Sequence, residues 1–261
     1  MDVLGFTQML LRAERSHTQA EFLKRLHETL SKGREGLEER EIPELKEAFD
    51  RAFSKDRYAL KAFTDNIVIG WPIHSDAESE TADAFTKLAM FQFNMVLSGF
   101  FVRGAISIGD AFVDDIVVSG NALIEAYNGE CNLARDPRII LTKSAVTVVS
   151  SHLDHYAYRE KAPQTRDLLK DSDGQWFLNY LDVVVLMAEE EQGPFYEEFE
   201  KHKAAVESKL AEHKSNPPIF AKYAWVAGYH NSFCDLHSQH FSEQHKINTD
   251  LFRAKPKLIT E

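Results

Sequence analysis

Two carboxylates stand where the turns of a sheet would bring them side by side. Asp2 precedes Val-Leu-Gly-Phe-Thr, a run that reads as a strand end turning into a helix. Asp65 sits in Thr64-Asp65-Asn66, the polar break between the two strand-like halves of RYALKAFTDNIVIGWPI, which predicts a β-hairpin with Asp65 at its tip. Strand one of a ferredoxin-like sheet lies beside such a hairpin, so the two strand ends meet. Paired carboxylates there suit one or two Mg²⁺ or Mn²⁺ ions, which take few protein oxygens and fill the rest of their shells with phosphate and water. The helix opening at Phe6 and Thr7 then matters as well, because its free N–H groups and positive dipole end suit a triphosphate. Taken singly, either Asp reads more simply as a turn residue.

The elements that must position these groups follow from hydrophobic spacing. Residues 6–31 carry apolar positions at helical intervals, and SKGREG reads as a charged turn before a second helical stretch ending near Phe53. After the hairpin, DAFTKLAMFQFNMVLSGF predicts a long apolar helix. VRGAISIGDAFV and DIVVSG read as strands, NALIEAYNGECNLA as a helix, PRIILT as a strand and KSAVTVVSSHL as a helix. The order β-α-(α)-β-β-α-β-(β)-α-β predicts a ferredoxin-like α+β core over residues 1–160. It requires a strand ending at Asp2, so Met1 is expected to be an internal or misassigned start. Residues 161–261, with TRDLLKDSDGQWFLNYLDVVVLM, FYEEFEKHKAAVESKLAEH and IFAKYAWVAGYHNSFCDLHSQHF, read as a C-terminal helical extension packed on the core.

Composition narrows the function classes. With 261 residues, 44% of them hydrophobic, the chain can bury a full core. No apolar run approaches the ~20 residues of a membrane span, and the start does not resemble a signal peptide, so a cytoplasmic protein without a membrane partner is expected. Cys131 and Cys234, the only cysteines, are expected to be reduced, buried thiols. A net charge of −11 argues against nucleic acid as a partner, while leaving room for a local cationic cluster around a small anion.

DVLGFT, KAFTDNIVIG, RGAISIG, SGNALIEAY and PRIILTKSAV, in that order over roughly residues 2–150, resemble the catalytic domain of class III nucleotidyl cyclases. MDVLGF, FTDNIVI, RGAISIG, ALIEAY and KYAWVAGYHN are similar, more closely, to the pyrimidine nucleotide cyclases of the bacterial Pycsar anti-phage systems. The resemblance implies a class III cyclase core, a homodimer meeting around ALIEAY, and conversion of UTP to 3′,5′-cyclic UMP and pyrophosphate with Mn²⁺ or Mg²⁺. A downstream effector would be reached through the cyclic nucleotide rather than by stable binding. It places the metals on Asp2 and Asp65 and a triphosphate-contacting Arg at Arg103, whose planar, permanent charge suits the departing pyrophosphate. Lys61 falls where adenylyl cyclases place a base-contacting Lys, although it reads more simply as a solvated strand lysine. CTP as substrate, a purine-using cyclase, and a degenerate domain that binds nucleotide without turnover are the alternatives.

Departures from the family pattern are specific. Val117, three positions before the helix-opening Gly120, replaces the polar residue that reads adenine. Ile124 and Asn128 stand where the family has Asn and a transition-state Arg, which leaves Asn128 as a substrate-binding candidate and the arginine missing. Arg135 and Arg138 are the nearest replacements, though each reads more simply as an interface or helix-end arginine. KDSDG lacks the twelfth-position Glu of a calcium loop and is expected to be a capping turn. His230, His237, His240 and His245 have no metal-site spacing and read as a polar helix end.

Overall fold

The computed structural model describes residues 1–38, 59–63, 65–73, 76–113, 117–186, 195–249 and 257–258. β1 (Asp2–Val3) turns through Leu4 and Gly5 into α1 (Phe6–Arg15), and α2 (Gln19–Glu38) follows. β2 (Ala59–Phe63) and β3 (Asn66–Gly70) form the hairpin. They lead to α3 (Glu78–Leu97), β4 (Val102–Ile106), a separate ribbon of β5 (Phe112–Val113) and β6 (Val118–Ser119), α4 (Asn121–Asn132), β7 (Ile139–Leu141) and α5 (Lys143–His155). The remaining chain supplies α6 (Gln164–Asp167), β8 (Leu168–Lys170), β9 (Trp176–Leu178), α7 (Val183–Leu186), α8 (Tyr196–Glu212), α9 (Pro217–Leu236) and β10 (Lys257–Leu258).

The class is α+β, as expected. One eight-stranded sheet runs β10-β8-β9-β7-β4-β1-β3-β2, with β4 and β7 parallel and every other pair antiparallel. Register decides which side chains face which layer. Val3 pairs with Val102 and Asp2 with Arg103, so alternation sends the two valines into one layer and the charged pair to the other. Val3, Val102 and Ile67 are buried with Phe22, Phe91, Met95 and Phe100 from the helical side. A larger core gathers Phe85, Phe101, Ile139, Phe177, Phe199, Tyr229 and Phe233. Each fully buried aliphatic or aromatic side chain stabilises by about 1.5–3 kcal/mol.

Two expectations about the chain's organisation are corrected. SKGREG is not a turn: α2 runs through it to Glu38, and the chain breaks earlier, at His17, which takes φ 57°. Gly33 is there for packing, since a Cβ on it would lie 2.6 Å from the ring of Phe91. The second helical stretch expected after it lies outside the described residues. TRDLLKDSDGQWFLNYL is not helical throughout either. It forms the β8–β9 hairpin, closed by Asp171 N–H donating to the Gln175 carbonyl and by Gly174 at φ 85°, so KDSDG is a hairpin turn rather than a helix cap. Leu168, Leu169, Phe177 and Leu178 are all buried, and a strand covered on both faces shows no alternation to set it apart from a helix. The residues beyond 160 thus extend the sheet next to β7 as well as adding helices, and Tyr223 of α9 packs edge-on against Phe101 at 5.0 Å. Among the described residues no helix is long and apolar enough to cross a membrane.

Candidate functional site

The site is built on a very short strand of the sheet. β1 contributes two residues, yet it is held on both sides: Asp2 pairs with Asn66 of β3 and with Arg103 of β4. Val3 N–H donates to the Asp65 carbonyl at 3.0 Å, and Leu4 N–H to Phe101 at 2.8 Å. Gly5 then reverses the chain at φ 73°, a conformation costly for a side chain with a Cβ, and α1 begins at Phe6. Asp2 and Asp65 therefore lie on adjacent strand ends, Asp65 at the hairpin tip as its sequence predicts.

Arg103 Nε donates to Asp2 Oδ2 at 3.1 Å, and its Nη2 lies 2.9 Å from Glu130 Oε1. The second contact is close enough for an ion pair, but Oε1 of Glu130 has no hydrogen bond of good geometry. The three side chains are 24%, 19% and 8% exposed, so the pairing is only partly screened by water. Burial pushes the Asp2 carboxyl above its ordinary range. The hydrogen bond and charge of Arg103 pull it down, and the charges of Glu130 and Asp65 push it further up. Asp2 and Glu130 thus share one guanidinium, and the Met1 ammonium also bears on both acids.

Among the described residues no group of three or more His, Cys, Asp or Glu side chains is poised around a metal. Asp2 and Asp65 would offer hard carboxylate oxygens of the kind Mg²⁺ or Mn²⁺ takes, with the other ligands from phosphate and water. No family model matches the chain, and no curated protein and no solved structure is similar to it.

The other predicted residues are placed less uniformly. Thr7 is exposed in the first turn of α1, beside Asp2 in the chain, whereas Phe6 packs against Phe22 with ring centroids 5.8 Å apart and serves the core. Lys61 pairs with Val68 on β3, which puts it on the same face as Asp2 but two strands away, about 10 Å across the sheet. Asn128 is exposed on α4 and does not meet Asp2 within one chain. Arg138 is corrected outright as a catalytic candidate: it is 1% exposed and bound through Nη1 to Asp171 and through Nη2 to Asp173. Arg135 is exposed. Cys234 is buried as expected, but Cys131 is exposed, its Sγ–H donating to Glu130 Oε2 at 3.4 Å.

Glu130 is the participant that sequence reasoning missed. Gly129 lets α4 sit against the sheet, since a Cβ there would lie 2.9 Å from Ala105 Cβ and 3.0 Å from Thr142 Cγ2. That close approach buries Glu130 beside Arg103. The Gly-Glu pair in NALIEAYNGECN was the available signal, and it carries no meaning until β4 is known to lie beneath α4.

Proposed function

We propose that the chain is a metal-dependent nucleotidyl cyclase that converts UTP to 3′,5′-cyclic UMP and pyrophosphate. The observation that carries this reading is the adjacency of Asp2 and Asp65 on neighbouring strand ends, with Arg103 on the same face, at the start of α1. The order β4-β1-β3-β2, antiparallel throughout, is that of a ferredoxin-like sheet and supports a cyclase core. Asp2 and Asp65 would hold the ions, which when bound neutralise phosphate charge and make the ribose 3′-hydroxyl easier to deprotonate. The new bond is O3′–Pα and the broken one joins Pα to the oxygen of the leaving pyrophosphate. Arg103 would turn from its carboxylate partners to the phosphates, because a planar guanidinium binds either in the same two-pronged way. The 3′-hydroxyl proton leaves to solvent.

The pyrimidine preference rests on the Pycsar-like motifs and on Val117, whose apolar side chain cannot accept from an adenine amino group. Phe112, Ile124 and Tyr127 are each more than half exposed on the β5–β6 ribbon and α4, which supports a homodimer through ALIEAY, as class III enzymes require to complete their site. In such a dimer Asn128 would reach the other chain's substrate. The cyclic nucleotide would then act as a cytoplasmic second messenger in anti-phage defence.

A second reading is favoured by one observation: Arg103 is already engaged by Asp2 and Glu130, and Arg138 is buried elsewhere. On that reading the domain binds a nucleotide without turning it over. Incubation with ATP, GTP, CTP and UTP in Mn²⁺ and then Mg²⁺, with cyclic products identified by mass spectrometry, separates the two. Cyclic UMP from wild type and none from Asp65→Asn supports the cyclase. Cyclic CMP moves the base preference to CTP, and saturable UTP binding without any cyclic product supports the second reading.

A further inference from the structure

A cleft of about 230 Å³ opens between the β1–α1 turn, α1 and the C-terminal helices. Arg12 of α1, Lys209 at the end of α8, His213 just after it and Lys222 of α9 line it, with Glu212 as the single acid. Glu212 is shared three ways: it pairs with Arg12, with Lys209 at 2.8 Å, and lies 3.6 Å from His213 Nε2. Lys222 makes no ion pair among the described residues. Three full cations thus face one carboxylate in a chain whose net charge is −11.

Two of the lining groups are withdrawn from water, while Arg12 is 56% exposed at the mouth. The Lys209 side chain is 16% exposed and that of His213 11%. Burial pulls Lys209 below its ordinary range, and Arg12 and Arg25 pull it further. Burial does the same to Lys222, with Arg103 adding to it and Asp136 and Asp2 opposing. His213 is lowered by burial, then by Lys209 and Arg12, so near neutral pH it stands uncharged and able to donate or accept. Like charges gathered in a half-buried cleft repel one another, and an arrangement of this kind is relieved by an anion carrying about two negative charges.

The geometry points to a phosphate-binding cleft between α1 and the C-terminal helices, formed by Arg12, Lys209, His213 and Lys222, that takes a polyphosphate group and clamps α8 and α9 onto the core. The guanidinium of Arg12 supplies the two-pronged contact and the two ammonium groups the point charges. Glu212 occupies the cations when no anion is bound and is displaced by one. The polyphosphate is either free in solution or the tail of a nucleotide whose sugar and base project out of the cleft. The cleft stands whether or not the protein is a cyclase.

The test is calorimetric titration of the full chain with inorganic pyrophosphate, without divalent metal, at fixed ionic strength. Saturable binding is expected, weakened at least tenfold in Lys209→Gln/Lys222→Gln and strengthened severalfold in Glu212→Gln, which frees the cations. Lys24→Gln, on an exposed part of α2, should change nothing. UTP binding more tightly than pyrophosphate assigns the cleft to a nucleotide tail, and equal affinity assigns it to the free ion. No saturable binding at millimolar pyrophosphate, or equal affinity in the wild type and the Lys double variant, overturns the proposal. The opposite sign expected for Glu212→Gln keeps the test decisive if the double variant folds poorly. Cyclic-nucleotide formation is a separate readout, so failure of the cyclase reading would leave this result untouched.

Discussion

Two arginines in this molecule each stand between two carboxylates, and they differ in what is left over. Arg138 is 1% exposed; its two terminal nitrogens are committed to Asp171 and Asp173. Its guanidinium lies over the rings of Trp225 at 5.4 Å and Phe177 at 5.9 Å. Asp171 also accepts from Trp225 Nε1 at 2.6 Å, so the cluster ties the β8–β9 turn to α9. Arg103 is 24% exposed and shared by Asp2 and Glu130, with Asp2 held above its ordinary range. A cluster shut away from water secures a fold, whereas a partly exposed one at a strand end can exchange a partner for something that binds there.

The largest expected difference between the two follows from removing the guanidinium. Arg138→Met should destabilise by about 3–5 kcal/mol, because it leaves Asp171 buried without its counter-charge. Urea denaturation checks this, and a loss under ~1 kcal/mol would show that the cluster is not closed. Asp65→Asn should do the reverse. At a hairpin tip it should leave the urea midpoint within about 0.5 kcal/mol of wild type, while any cyclic UMP formation falls ~100-fold or more, the scale of losing one preorganised electrostatic group. Full activity in Asp65→Asn would remove the metal role from this residue.

How much of each region was legible in the sequence follows the same division. The hairpin tip could be read because Thr-Asp-Asn interrupts two strand-like runs, and the β1–α1 turn because Leu-Gly-Phe-Thr changes period at a glycine. Both are local signals. Arg138, which reads more simply as a structural arginine than as a catalytic one, is structural, but its partners could not be named because they lie 33 and 35 residues further along, in a hairpin that itself read as helix. Glu130 escaped notice because its burial depends on how closely α4 approaches β4. Among the candidate residues, Asp2, Asp65 and Arg103 are gathered as expected, whereas Phe6 was claimed by the core and Lys61 sits two strands off, since sequence spacing gives the face of a strand but not its distance across a sheet.

Buried histidines in the C-terminal half give a third, smaller contrast. His230 donates from Nε2 to the His245 carbonyl, which leaves its Nδ1 to accept from His202 Nδ1–H at 3.1 Å, and His202 Nε2 accepts from the Tyr180 hydroxyl at 2.9 Å. The chain of bonds works only with both rings neutral. Burial, against the hydrogen bond to His245, holds His230 down to about 4; burial, and then His230, puts His202 well below its ordinary range. The unfolded chain therefore binds protons first as pH falls. Stability from this pair is complete above about pH 6.5 and is lost as pH falls from there toward 4. The urea midpoint should drop over that interval, and the drop should shrink in His202→Leu/His230→Leu. A slope unchanged in the double variant would assign it to other groups.

The smallest effect is the most discriminating, because it carries the opposite sign. With its carboxyl held above the ordinary range, Asp2 loses more by ionising in the folded chain than in the unfolded one, so at pH 7 its charge works against folding. Asp2→Asn removes that charge, keeps an oxygen able to accept from Arg103, and leaves Glu130 to neutralise the guanidinium. It should raise the melting temperature slightly, a gain under ~1 kcal/mol, while abolishing cyclic-nucleotide formation. Asp171→Asn, in the closed cluster, should lower the melting temperature. Mn²⁺ should then stabilise wild type, since an ion bound only by the folded state shifts the equilibrium toward it, and should not stabilise Asp2→Asn. If Asp2→Asn instead melts lower than wild type, Asp2 belongs with Arg138 and its acids as a structural partner and is not kept for a cation.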